Sequence, residues 1–303
     1  MRTAILMIGA AAAGIILGVQ WQKRRIRRTL FMFDGPTTSA IVNSFADYLS
    51  KRHPRNHRQF LSRLKDNPEA AQAEAVTFSL LTTLNLSPTV NETVNSGGLD
   101  FKCTPSTGES FLVEVTSLNA AQAARRTRLP NTAEPTGSSY LLDNRKLWDV
   151  VDSKMAQMAD SHCAHILVIV SFHIRAGAVF RTLPTQYLLT GQPKLVTNLG
   201  EHPSQRTDLA DSIFLRPTEA GKIETYRRRL SAVVLVTVAE GQCSATGLVH
   251  PDPEIPLRLD GFQDIPFVRL RRWPIVDGRI ETEWTVPQPG PATIYLQLVT
   301  ATT

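Results

Sequence analysis

The chain has 303 residues, 42% of them apolar and 20% charged, enough for a packed core in one large domain or two small ones. Its net charge of +6 is local: residues 1–33 carry Arg2, Lys23, Arg24, Arg25, Arg27 and Arg28 and no acid, and the remainder sets 27 basic against 27 acidic side chains. This excludes a generally polybasic nucleic-acid binder, and three widely separated cysteines (Cys103, Cys163 and Cys243) exclude a disulfide framework or paired zinc-ligand spacing.

Residues 3–21 are uncharged, and a helix of that length at about 1.5 Å per residue would just cross a hydrocarbon core of roughly 30 Å. Trp21 falls at its end and KRRIRR follows, so the positive-inside rule predicts a single-pass anchor in the inner membrane with the rest of the chain cytoplasmic. A cleaved signal peptide would carry its charge before the apolar run, and here only Arg2 does. Two alternatives stay open: a weakly hydrophobic segment, or a start at a later methionine such as Met32, with a cytoplasmic protein.

The spacing of Ile41, Phe45, Tyr48 and Leu49 predicts a helix over 37–53, stopped by Pro54. Phe60, Leu61 and Leu64 mark a second short helix. Asn67 and Pro68 open a third, with Asn67 as cap and Pro68 in the first turn, and with Val76, Leu80, Leu81 and Leu84 on its buried face. Strands are expected over 99–103 and 111–118, joined by the turn-rich TPSTGES. Residues 119–139 read as a loop, 141–159 as a helix, 165–174 as a fully covered central strand, 180–189 as a short helix and 230–238 as a second buried strand. The prolines of VHPDPEIPL mark an extended segment, and RIETEWTV and ATIYLQLVT around PQPGP suggest a C-terminal hairpin.

Two acids stand out. Asp100 and Glu114 lie in the otherwise apolar strands flanking that turn, and a buried carboxylate requires a positive partner. In FLVEVTSL, Phe111, Val113 and Val115 share one face, and Leu112, Glu114, Thr116 and Leu118 share the other. Asp100 and Lys102 share a face of the preceding strand, so a hairpin brings Asp100 beside Glu114. Two close carboxylates repel unless a cation lies between them, and Mg²⁺ takes such hard oxygen ligands. In the following helix Lys154 falls inside the stripe of Leu147, Val150, Val151, Met155 and Met158. It either snorkels to the rim or meets an acid, with Gln157 one turn on.

The order of these features resembles the PD-(D/E)xK nuclease superfamily, over roughly residues 60–275. The resemblance implies an α/β fold, a restriction-endonuclease-like mixed central sheet flanked by helices. Its domain plan is 1–33 anchor and basic segment, 34–66 helical lead-in, 67–275 core and 276–303 hairpin. It implies metal ligation by Asp100, Glu114 and the helix residue Glu74 (Glu69 in reserve), with Mg²⁺ or Mn²⁺ as cofactor. The implied activity is hydrolysis of phosphodiesters in nucleic acid, DNA before RNA. The sequence departs from the family pattern at Leu99, where proline is usual, and at Thr116, where the motif lysine stands. Some members move that lysine to the next helix, which implies Lys154. The alternative is a module that kept the fold and binds nucleic acid or protein without cutting.

Local clusters (Arg125, Arg126 and Arg128; Arg227, Arg228 and Arg229; Arg269, Arg271 and Arg272) are the available basic surfaces, or else solvated faces. No GxSxG elbow, P-loop or GxGxxG is present, and His162, Cys163 and His165 lack a second ligand pair for zinc.

Overall fold

The computed structural model describes residues 37–91, 99–106, 108–118, 145–155, 158, 162–173, 180, 182–196, 204–209, 212–239, 242–275, 279–286 and 292–299. The proposed anchor, the 119–139 loop with its three arginines, and Gln157 lie outside these residues. Among the described residues no helix is long and apolar enough to cross a membrane.

Among the described residues three helices come first, each started by the residue types that favour a start. Thr37 caps α1 (Thr38–Arg52), its Oγ1 accepting from Ala40 N at 3.2 Å. Pro54 opens α2 (Pro54–Asp66), where its fixed φ and missing N–H do no harm. Asn67 caps α3 (Pro68–Thr83) through Ala70 N at 3.4 Å. α3 ends in a left-handed residue, Asn85 (φ 57°), with Asn85 N donating to Thr82 O and Leu86 N to Leu81 O. That turn delivers the chain into the sheet. α3 is buried nearly all round, from Ala73 to Leu81, because α1 and α2 cover one side and the sheet covers the other.

Nine strands form a mixed sheet: β1 (Pro88–Val90), β2 (Phe101–Cys103), β3 (Phe111–Ser117), β4 (Ala164–Ser171), β9 (Ala232–Ala239), β10 (Gln242–Val249), β11 (Phe267–Leu270) and β12 (Thr282–Trp284) in that order, with β13 (Ala292–Tyr295) paired to β10. β1, β2 and β3 are antiparallel neighbours. α4 (Arg145–Met155) lies between β3 and β4, which run parallel, and β4 runs parallel to β9. α5 (Thr182–Thr190) and two small hairpins, β5 (Gln192–Val196) with β6 (Ser204–Asp208) and β7 (Leu215–Pro217) with β8 (Ile223–Thr225), lie between β4 and β9.

Every residue of β4 is buried, as expected of a strand covered on both faces. Alternation along the strands divides the core in two. Val113, Val115, Ile166, Val168, Val234 and Val236 face the α1–α3 layer, where Phe45 packs on Phe60 and Phe78 with ring centroids 5.2 and 5.0 Å apart. Leu167, Ile169, Val233 and Leu235 face the other way, onto Leu147 and Val151 of α4 and Leu188 and Leu189 of α5.

The α/β mixed sheet with flanking helices is thus present. Residues Pro36–Thr303 form one unit, in which α1 and α2 pack on α3. Among the described residues the two C-terminal strands do not pair with each other: β12 pairs with β11, and β13 with the eight-residue β10.

Candidate active site

The β2–β3 ladder pairs Phe101 with Val113, and the same register puts Asp100 opposite Glu114. Asp100 precedes β2. Asn91 fixes its backbone, Asn91 N donating to Asp100 O at 2.9 Å and Asn91 Nδ2 to Leu99 O at 3.3 Å. The Asp100 carboxylate extends the ladder by a side chain: its Oδ2 accepts from Val115 N at 2.7 Å. Glu114 lies mid-strand on the α4 face with 5% of its side chain exposed.

Lys154 meets it. The Nζ donates to Glu114 Oε1 at 2.6 Å, and the lysine side chain keeps 22% exposure. α4 places it there because Leu147 and Val151, both fully buried, press the same stripe onto the sheet. Lys154 is in the last turn, where a cation also suits the helix dipole. An ion pair this buried contributes little stability compared with an apolar replacement, so stability alone is a poor reason for its presence.

Thr116 stands two residues beyond Glu114 on the same face, so this chain has a hydroxyl at the motif's lysine position, and α4 supplies the ammonium. Lys102, exposed, stands two residues along β2 from Asp100 on the same face.

Glu74 is placed elsewhere. α3 packs on the opposite face of the sheet, and Glu74 Oε2 accepts from Arg63 Nη2 at 2.9 Å across the α2–α3 contact. Glu74, Asp100 and Glu114 do not form one metal-holding group, and among the described residues no three His, Cys, Asp or Glu side chains do. His162, Cys163 and His165 are included in that statement. Glu69 sits in the first turn of α3, on that same far face. The donor set left is two carboxylates with one ammonium beside them. This fits Mg²⁺, which commonly takes one or two carboxylates and fills its octahedron with water.

The arginine clusters are largely committed. Arg269 and Arg271 pair with Glu283 and Glu281 across β11 and β12, and Arg228 lies 3.4 Å from Asp252. The Arg227 side chain is 4% exposed and holds Asp152. By contrast Arg55, Arg58 and Lys65 of α2 make no ion pair among the described residues, and α2 lies on the far side from Glu114. A separate recess at the opening ends of β3 and β4, lined by Leu86, Phe111, Ala164, Leu257 and Phe262, includes neither Asp100 nor Glu114.

Burial raises the Cys103 thiol far above its usual range and pushes Cys243 up to about 12, which makes both poor nucleophiles.

Comparison with protein-family models, with characterised proteins and with solved structures returns no match for this chain.

Proposed function

We propose that the protein is a Mg²⁺- or Mn²⁺-dependent phosphodiesterase of the PD-(D/E)xK, restriction-endonuclease-like type, acting on nucleic acid, DNA before RNA. The observation that carries this reading is the Lys154–Glu114 contact at 2.6 Å with Asp100 across the strand pair. An antiparallel β1–β2–β3 meander, a helix, and a β4 parallel to β3 supply the frame the resemblance requires.

Asp100 and Glu114 would hold the metal; with Lys154 the three groups sum to one negative charge, so a divalent cation is attracted rather than repelled. When bound, Mg²⁺ supplies a Lewis acid for a phosphate oxygen and a more acidic water. Lys154 is held where its ammonium can stabilise charge developing on the phosphate, and the low exposure of Glu114 strengthens that interaction. Lys102, further out and exposed, is suited to a neighbouring phosphate. The uncharged run 3–21 is proposed to hold this domain at the inner face of a bacterial membrane, and fractionation with and without residues 1–28 tests it.

Thr116 favours a second reading, a member that binds without cutting. One experiment separates the two. Metal titration by calorimetry, with degradation of plasmid and of single-stranded DNA and RNA in Mg²⁺ or Mn²⁺, should show binding lost in Asp100→Ala and Glu114→Ala. Cutting should be lost in Lys154→Ala. Metal and nucleic-acid binding with no cutting by the unsubstituted protein selects the second reading. Absence of metal binding rejects the first.

A further inference from the structure

Apolar contact holds α4 against the sheet, but such contact is non-directional and does not fix how far a helix has slid or turned. A slip of one residue moves a side chain by about 1.5 Å along the axis and about 100° around it. The Lys154–Glu114 contact survives no such slip, so something directional must set the register of α4.

Arg227 supplies it. Its guanidinium lies over two adjoining rings, 4.5 Å from the centroid of Trp148 on α4 and 4.5 Å from that of Tyr226, the two centroids being 5.7 Å apart. Nε donates to Asp152 Oδ1 at 2.8 Å, one turn along α4 from Trp148. Nη1 donates to Ile213 O at 2.7 Å and to Tyr226 Oη at 3.0 Å. Trp148 Nε1 and Tyr226 Oη both donate to Ser212 O, at 2.7 and 2.6 Å. Two points on α4, one turn apart, are thereby fixed by bonds with direction.

The anchor at the other end is the sheet itself. The chain runs from Arg227 through Leu230, whose N donates to Arg227 O at 2.9 Å, into β9. β9 pairs with β4, and β4 with β3, which carries Glu114. His250, at the end of β10, adds a bond from its Nε2–H to Tyr226 O at 2.9 Å. Asp252 N donates to the other ring nitrogen, which fixes that tautomer. Arg227 also sits at φ 61°, a left-handed conformation that is unfavourable for a residue other than glycine. The neighbouring bonds hold it there, as expected of a residue whose placement matters.

We infer that Arg227 is a positioning residue: it sets the register of α4, through Trp148 and Asp152, so that the Lys154 ammonium reaches Glu114. Its importance to catalysis rests on the phosphodiesterase reading, but the contact it maintains does not.

The test is competitive acetylation of the full chain with acetic anhydride, read lysine by lysine by mass spectrometry, with exposed Lys222 as the internal reference. In the unsubstituted protein Lys154 should react more slowly than Lys222. Arg227→Gln, shown to be folded by its thermal transition, should speed Lys154 about fivefold and leave Lys222 unchanged. Arg227→Lys, which keeps the charge but not the flat fork, should fall between them. An unchanged Lys154 rate in folded Arg227→Gln overturns the inference. If that variant does not fold, Asp152→Ala is measured instead. It removes a half-exposed partner and should speed Lys154 about twofold; no change there overturns the inference equally. Changed labelling in a protein that never cuts nucleic acid leaves this inference standing and removes the phosphodiesterase reading.

Discussion

Two partly buried ion pairs sit on opposite faces of one sheet. Arg63–Glu74 closes the contact between α2 and α3, at 2.9 Å. Lys154–Glu114 joins α4 to the middle of β3, at 2.6 Å. From either pair alone the chemistry looks the same: an acid too buried to stand without a cation. The difference is the neighbour. A second carboxylate, Asp100, faces Glu114 across a strand pair, whereas Glu74 meets an arginine of the next helix over. A partnered buried acid is therefore an ordinary structural feature, and it becomes a candidate site when strand register brings a second one opposite.

The sharpest way to break this contrast is activity. Lys154→Met should lower the rate of phosphodiester cleavage about 100-fold or more, the usual effect of removing one electrostatic stabiliser, with thermal unfolding still cooperative. Glu74→Gln should change the rate less than about twofold, since Glu74 lies in the helical layer on the other face of the sheet. Equal losses from both would end the distinction between the two faces.

A pH titration sharpens it next, through the network that steadies α4. Burial, with Arg228 acting the same way, lowers the His250 pKa to about 4, against a smaller opposing effect of its Tyr226 bond and Asp252. The unfolded chain takes up that proton near pH 6.5, before the folded one does. Stability from the neutral ring is complete above about pH 6.5 and lost as pH falls toward 4, by roughly 2–3 kcal/mol. Denaturant midpoints between pH 7 and 4 should fall in the unsubstituted protein and fall less in His250→Gln. Lys154 acetylation, compared with Lys222 at each pH, should rise over the same interval.

The structural pair makes the third prediction. Arg63→Met leaves Glu74 charged, with 12% of its side chain exposed, and should cost about 2 kcal/mol, since the arginine itself is a third exposed. Arg63→Met with Glu74→Leu should recover most of that, because replacing both partners removes the uncompensated charge. Urea unfolding of the two variants decides. Failure of the double substitution to recover stability would mean Glu74 serves a partner other than Arg63.

How much of this was legible in the sequence varied with its physical origin. α1 and α3 were, since caps and apolar period are local, and so were β3, β4 and β9, whose apolar runs have no other reading. Glu114, Asp100 and Lys154 could be brought together because strand alternation and helical stripe are both short-range rules. β10 was not legible. Its small residues answer a neighbour distant in sequence: a Cβ at Gly247 would collide with the Phe267 ring of β11, and glycine in a strand weakens the pattern that announces it. β1 carries Pro88, tolerated there because β1 is the sheet edge. Arg227 read as one of three adjacent charges; its partners on α4 are far off in the chain, and no periodicity links them. Glu74 was misplaced for the same reason, since Arg63 belongs to another helix.

The smallest effect tests whether nucleic acid approaches from the Asp100 side. Lys102 is exposed on the face that carries Asp100, while Arg55, Arg58 and Lys65 lie beyond the helical layer on the other. One phosphate contact contributes about one counterion, so Lys102→Ala should weaken duplex binding a few-fold at moderate salt and lower the slope of log K against log salt by about 0.9. Arg58→Gln should leave both unchanged. Fluorescence anisotropy across a salt series reads the two variants together. If Arg58 moves the slope and Lys102 does not, nucleic acid docks on the helices, out of reach of Glu114, and the protein binds without cutting.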